Sequence, residues 1–156
     1  FIQASGEGGD ASGYIVTDKK YSNVELVWDW KLTYAGNSGM LYHVVEHPKF
    51  SVPYVTGPEY QLIDSEGWEE KYAPAKLADW QNIGVDYAMH LPDYEKMHIN
   101  PVGEWNTADI TCKGNVVKVK INGKEQNECT CEFTDGYIAL QSEGGPIEFR
   151  NIYITE

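Results

Sequence analysis

Glu59 and Gln61 stand two residues apart in Gly57-Pro58-Glu59-Tyr60-Gln61-Leu62-Ile63-Asp64. Alternate side chains of an extended strand share a face, so Glu59, Gln61 and Ile63 fall together, with Tyr60, Leu62 and Asp64 opposite. A carboxylate beside an amide can move a proton and hold a hydroxyl. The same alternation also marks a plain solvent-facing strand. Further along, Tyr137, Ala139 and Gln141 alternate with Ile138 and Leu140, and Glu148 and Arg150 lie opposite Ile147 and Phe149. Arg150 is a single arginine beside eleven lysines. A lone guanidinium suits a rigid planar fork, either clamping Glu148 or Glu59 or touching a ligand. Glu143 follows Gln141-Ser142 at a strand end, placed for chemistry or simply as a solvated turn acid. His43 is expected on the strand face opposite Met40, Tyr42 and Val44. With His47, His90 and His98 it forms no H-E-x-x-H metal spacing.

The elements that must position these residues read as strands. In Val24–Leu32, the residues Val24, Leu26, Trp28, Trp30 and Leu32 alternate with Glu25, Asp29 and Lys31. Gly13–Thr17, Met40–Glu46, Glu59–Ile63, Trp105–Cys112, Val116–Ile121, Tyr137–Ser142 and Ile147–Ile154 follow the same rule. Asn122-Gly123 and Asp135-Gly136 read as hairpin turns with positive φ, and Gly144-Gly145-Pro146 as a break. Asn37-Ser38-Gly39 also reads as a turn. The stretch from Asp64 to Pro101 reads as a long ordered excursion with one helical turn, expected near Leu77 and Trp80, and long loops are often functional. Gly6-Glu7-Gly8-Gly9 precedes a strand rather than a helix, so it is a turn and not a phosphate loop. Many short strands with Gly/Asn turns point to an all-β antiparallel sandwich.

Composition narrows the partners. The chain has 156 residues, with 12 Lys+Arg against 24 Asp+Glu, a formal charge of −12. Such acidity argues against nucleic acid and anionic membranes, leaving neutral or cationic small ligands. Aromatics at 13% suit the apolar faces of sugars, although most aromatics build cores. No apolar run is long enough for a transmembrane helix. The first residue is Phe1, not Met, so a removed export signal is expected, with a periplasmic or cell-surface location. Cys112, Cys129 and Cys131 are an odd set. Cys129 and Cys131 cannot easily bridge each other, leaving one bridge from Cys112 or three buried thiols.

Seven pieces, in order along the chain, carry a family resemblance: Tyr21-Ser22-Asn23-Val24-Glu25-Leu26, Asn37-Ser38-Gly39-Met40, Gly57 to Asp64, Gly103-Glu104-Trp105-Asn106, Ile121-Asn122-Gly123, Ile138-Ala139-Leu140-Gln141 and Phe149-Arg150-Asn151-Ile152. Together they resemble the bacterial 3-keto-disaccharide hydrolase family. The resemblance implies a concanavalin A-like jelly-roll sandwich of two antiparallel sheets with one long loop excursion. It implies one domain over residues 1–156, lacking the family's first strand segment, with a ligand site on a concave face. The chain departs from the family at Tyr42-His43, where many members carry Arg. It departs again at Ser142-Glu143-Gly144, where many carry Asp-His-Gly.

The implied chemistry is cleavage of 3-keto-glycosides. A ketone at C3 acidifies the C2 proton, an enolate forms, and the C1 substituent leaves; water then adds. The route needs a base, an oxyanion stabiliser and a proton donor, with a divalent metal as one optional electrophile. Glu59, His43, Glu143 and Arg150 are the expected catalytic residues. Gln61, Gln141, Asp64, Trp68, Tyr87 and His90 are the expected sugar contacts. A carbohydrate-binding module on the same scaffold is the competing reading. A conventional two-carboxylate glycosidase ranks third, because Gln61 stands where a second acid is needed.

Overall fold

In the computed structural model, residues 1–5, 13–87 and 97–156 are described. The turn at Gly6–Gly9 and the sugar contact expected of His90 lie outside them. Ten strands are described: β1 Ile2–Ala4, β2 Tyr14–Val16, β3 Val24–Leu32, β4 Asn37–Val44, β5 Glu59–Ile63, β6 Asn106–Lys113, β7 Val116–Ile121, β8 Lys124–Thr130, β9 Tyr137–Gln141 and β10 Ile147–Thr155. They form a jelly-roll sandwich of two antiparallel sheets. The six-stranded sheet has the order β1-β10-β3-β6-β7-β8, and the four-stranded sheet the order β2-β9-β4-β5. No helix among the described residues is long and apolar enough to cross a membrane.

The core lies between the sheets, and period two puts it there. Leu26, Trp28, Trp30, Met40, Tyr42, Tyr60, Leu62, Ile110, Val119, Leu140 and Phe149 are buried in one cluster drawn from both sheets. Burial of such side chains contributes roughly 1.5–3 kcal/mol each relative to exposure, which is what holds the two layers together. The three cysteines are free and buried.

Local readings of the fold diverge from the structure at three places. Asn37-Ser38-Gly39 begins β4 rather than forming a turn, because β5 pairs with it from Asn37 opposite Ile63 to Leu41 opposite Glu59. Asn122 and Gly123 do take positive φ, at 51° and 79°, whereas neither Asp135 nor Gly136 does. A Cβ at Gly136 would sit 2.3 Å from the His43 carbonyl carbon, so that glycine answers a close approach of backbones. The expected turn near Trp80 is the 3₁₀ turn Asp79–Gln81, and a further, unexpected helix, α1 at Ser65–Lys71, precedes it.

Candidate active site

A cleft of about 640 Å³ lies over the outer face of the four-stranded sheet. Its floor comes from alternate positions of four strands: Tyr14 on β2, Asn37 on β4, Glu59, Gln61 and Ile63 on β5, and Gln141 on β9. The complementary positions Met40, Tyr60, Leu62 and Leu140 face the core. Trp68 on α1 and Tyr72 just past its end line the cleft, with Tyr54, Tyr87, Glu143 and Gln81. Trp68 and Tyr72 pack with ring centroids 4.9 Å apart, while Tyr87 is edge-on to both Tyr54 and Trp80. Flat aromatic surface around a polar floor is how proteins hold sugar rings, whose faces are apolar and edges polar.

The floor is a set of hydrogen-bond acceptors. Gln61 donates its amide nitrogen to the Gln81 carbonyl at 3.2 Å, and Gln141 donates its own to the Tyr14 hydroxyl at 3.2 Å. Both amide oxygens, and that of Asn37, are buried without a partner among the described residues. A buried orphan acceptor costs about 1–3 kcal/mol, so three together are recovered by a ligand that donates hydroxyl hydrogens.

Glu59 sits among them with 3% exposure. Burial, then the charge of Glu143, pushes its pKa from 4.5 up to about 8. Its room comes from Gly39, where a Cβ would lie 2.1 Å from a Glu59 carboxylate oxygen. No Lys, Arg or His is among the described residues that line the cleft.

The structure brings Glu59, Gln61, Glu143, Gln141, Trp68 and Tyr87 together and sets three other expected residues apart. His43 has φ 56° at a register shift between Leu41 and Val44. That irregularity breaks the alternation and buries the ring, whose Nε2 lies 2.9 Å from the Ser22 carbonyl. Arg150 lies on the far face of the other sheet. Its Nε donates to Asp29 at 3.1 Å and its guanidinium stacks on Trp105 at 3.7 Å. Asp29 also accepts from Thr107 and Asn151, and these bonds outweigh burial to hold its carboxyl below the usual range. Of the two expected partners of Arg150, Glu148 pairs with Lys31 instead and Glu59 lies in the cleft on the other sheet.

Asp64 caps α1. Its carboxylate accepts from the Gly67 amide at 3.1 Å and the Ala35 amide at 2.9 Å. Asp64→Ala should therefore destabilise the fold by about 1–2 kcal/mol in urea titration, since two amides lose their acceptor. A loss below about 0.3 kcal/mol would show that the cap is dispensable.

Tyr14, Asn37, Tyr54 and Tyr72 line the cleft without having been singled out in the sequence. Asn37 had a signal in the Asn-Ser-Gly piece; Tyr14 had only its alternation with Ile15. Among the described residues no three His, Cys, Asp or Glu side chains converge as metal ligands. The donors facing the cleft are two carboxylates and amide oxygens, a set that would hold a divalent ion only with oxygens supplied by substrate.

The chain is thus a two-sheet jelly roll with an acidic, aromatic-walled cleft on one sheet. The chain belongs to the 3-keto-alpha-glucoside-1,2-lyase-like domain family, which it matches over residues 2–155. It is 26% identical over 188 aligned positions to a 3-keto-disaccharide hydrolase of Bacteroides thetaiotaomicron, covering 96% of this chain and 62% of that protein. It thus spans less than two thirds of that curated relative. A crystal structure of a candidate glycosyl hydrolase from Parabacteroides distasonis superposes with TM-score 0.82 at 35% identity, covering 95% of this chain and 78% of the other. A carbohydrate-binding module from Bacillus subtilis shares the fold, with TM-score 0.60 at 11% identity, over 92% of this chain and 81% of that one.

Proposed function

We propose that the protein is a carbohydrate-active enzyme that cleaves 3-keto-glycosides by elimination, followed by addition of water. The observation that carries this reading is Glu59, a buried carboxyl with a pKa of about 8, set among unpartnered acceptor oxygens in an aromatic cleft. A carboxylate pushed that high is a stronger base than an ordinary one and is matched to neutral or mildly alkaline pH.

The sugar's hydroxyls donate to Gln61, Gln141 and Asn37, and its apolar face lies against Trp68 or Tyr87. Ionised Glu59 takes the C2 proton. The C2–H electron pair becomes the enolate of the C3 ketone, whose oxygen accepts a hydrogen bond; Tyr14, which already accepts from Gln141, has its own hydroxyl hydrogen for this. The enolate collapses to a C1–C2 double bond as the C1–O bond breaks. Glu59, now neutral, returns the proton to the departing oxygen. Addition of water across the double bond completes a net hydrolysis.

The test is release of the C1 substituent from chemically prepared 3-keto-glucosides between pH 6 and 10, with and without EDTA. Release should rise with pH as Glu59 ionises and level off above about 8. No release in any condition, with sugar binding intact, would leave a carbohydrate-binding module in its place. Loss of activity in EDTA, restored by a divalent ion, would assign the oxyanion to a metal held partly by substrate.

A further inference from the structure

The register of the four-stranded sheet divides its outer face into two floors, with Glu59 on the line between them. Gln61 stands opposite Gly39, and Tyr14 opposite Gln141. Met40 opposite Leu140 sets Gly39 beside Gln141 and closes that polar row. One row further, Glu59 stands opposite Leu41, Leu41 opposite Ala139, and Ala139 opposite Val16. Apart from Glu59 this row is aliphatic. Beyond it Val44 stands opposite Tyr137. Over these residues runs a second groove of about 480 Å³, lined mainly by apolar side chains, among them Val16, Val44, Ala139, Phe50 and Val52, with Glu46, His47 and Ser51 also on its walls. It shares Tyr14 and Val52 with the cleft, so the two spaces adjoin.

A glycoside with an apolar substituent has the same division: a hydroxyl-rich ring, the C1–O bond, then a greasy group. We propose that the groove is the subsite for the leaving group, and that the group it takes is an apolar aglycone, aromatic or alkyl, rather than a second sugar. This rests on the glycoside-cleaving reading and names its substrate class. A second sugar seated on the aliphatic row would press hydroxyls against Val16, Val44 and Ala139, which offer no acceptor side chain; Glu46, His47 and Ser51 lie elsewhere along the groove. An unpaired hydroxyl in an apolar setting is costly. A phenyl ring would instead cover the aliphatic row, including Val16, which is 41% exposed.

Binding can be read apart from turnover with unoxidised glucosides, which lack the ketone that elimination requires. Phenyl and methyl glucosides of both anomers would be titrated into the protein by calorimetry or NMR. The phenyl glucoside of one anomer should bind about tenfold more tightly than its methyl counterpart, as burial of a ring against aliphatic side chains implies. V16D should remove most of that advantage. Equal or undetectable affinity for both ligands, or a full phenyl preference retained in V16D, would overturn the proposal. Turnover of the matching 3-keto-glucosides separates the two readings. A phenyl preference in binding with no turnover of either defeats the cleavage reading and leaves the subsite standing. Turnover of both with no phenyl preference in affinity or kcat/KM does the reverse.

Discussion

Glu59→Gln should lower turnover of a 3-keto-glucoside by about 10³-fold, the scale of a lost general base. The amide keeps the shape of the carboxyl, so sugar affinity should change little. A binding module would show the same affinity and no turnover in either protein. Retention of more than a tenth of wild-type turnover would remove Glu59 from the chemistry. The same substitution should alter stability in a pH-dependent way. Native Glu59 holds its proton up to about pH 8, whereas in the unfolded chain it ionises near its ordinary 4.5. Between those values the native state binds the extra proton, so stability declines as pH rises, by up to ~1.4 kcal/mol per pH unit. Above both values the decline stops. Glu59→Gln carries no such term, so its stability relative to wild type should grow from pH 5 to pH 8 in urea titrations. Parallel pH profiles would mean that the carboxyl ionises freely in the fold.

Gly39→Ala should be the most damaging change that leaves the charge intact. The added Cβ would lie 2.1 Å from a Glu59 carboxylate oxygen and 2.6 Å from both its Cγ and Cδ. The side chain must swing off the polar row. Misplacing a reacting group by about 1 Å can cost roughly 10²-fold, and kcat should fall on that order. Gly39 has no positive φ, so alanine meets no backbone objection. Any loss of folding stability comes from crowding and should stay within about 1–3 kcal/mol. Steady-state kinetics beside a thermal melt distinguish the two effects. Unchanged kcat would show that Glu59 reaches its substrate from another rotamer.

How much of this could be read from the chain depends on how local the cause is. Period two found β3 and β5, the core tryptophans, and the shared face of Glu59 and Gln61, because alternation is a property of consecutive residues. The Asn122-Gly123 turn was legible for the same reason. Asn37-Ser38-Gly39 misled because its residue types favour turns when alone. In the fold, β5 and β9 flank it on both sides, and the glycine leaves space for Glu59. His43 was assigned to an outer face by counting in twos across a bulge that adds one residue. Arg150 found its partner in Asp29, 121 positions away, which no spacing rule reaches. Asp64 was read for its acidity, yet its position before Ser65–Lys71 makes it a cap.

The order of the four-stranded sheet also has a temporal side. Tyr14 and Gln141, neighbours on the cleft floor, are 127 residues apart in the chain. At a synthesis rate of about 5–20 residues per second, Tyr14 is added to the chain roughly 6 to 25 s before its neighbour. For that interval β4 and β5 have no β9 beside them, and a row of aliphatic side chains stays open to other nascent chains. Products that end before Tyr137 carry Glu59, Gln61 and Gly39 but lack the strand that joins them to β2. The cleft is therefore all-or-none with respect to length: it is incomplete until β9 has been made, and chaperone demand should peak just before that strand emerges.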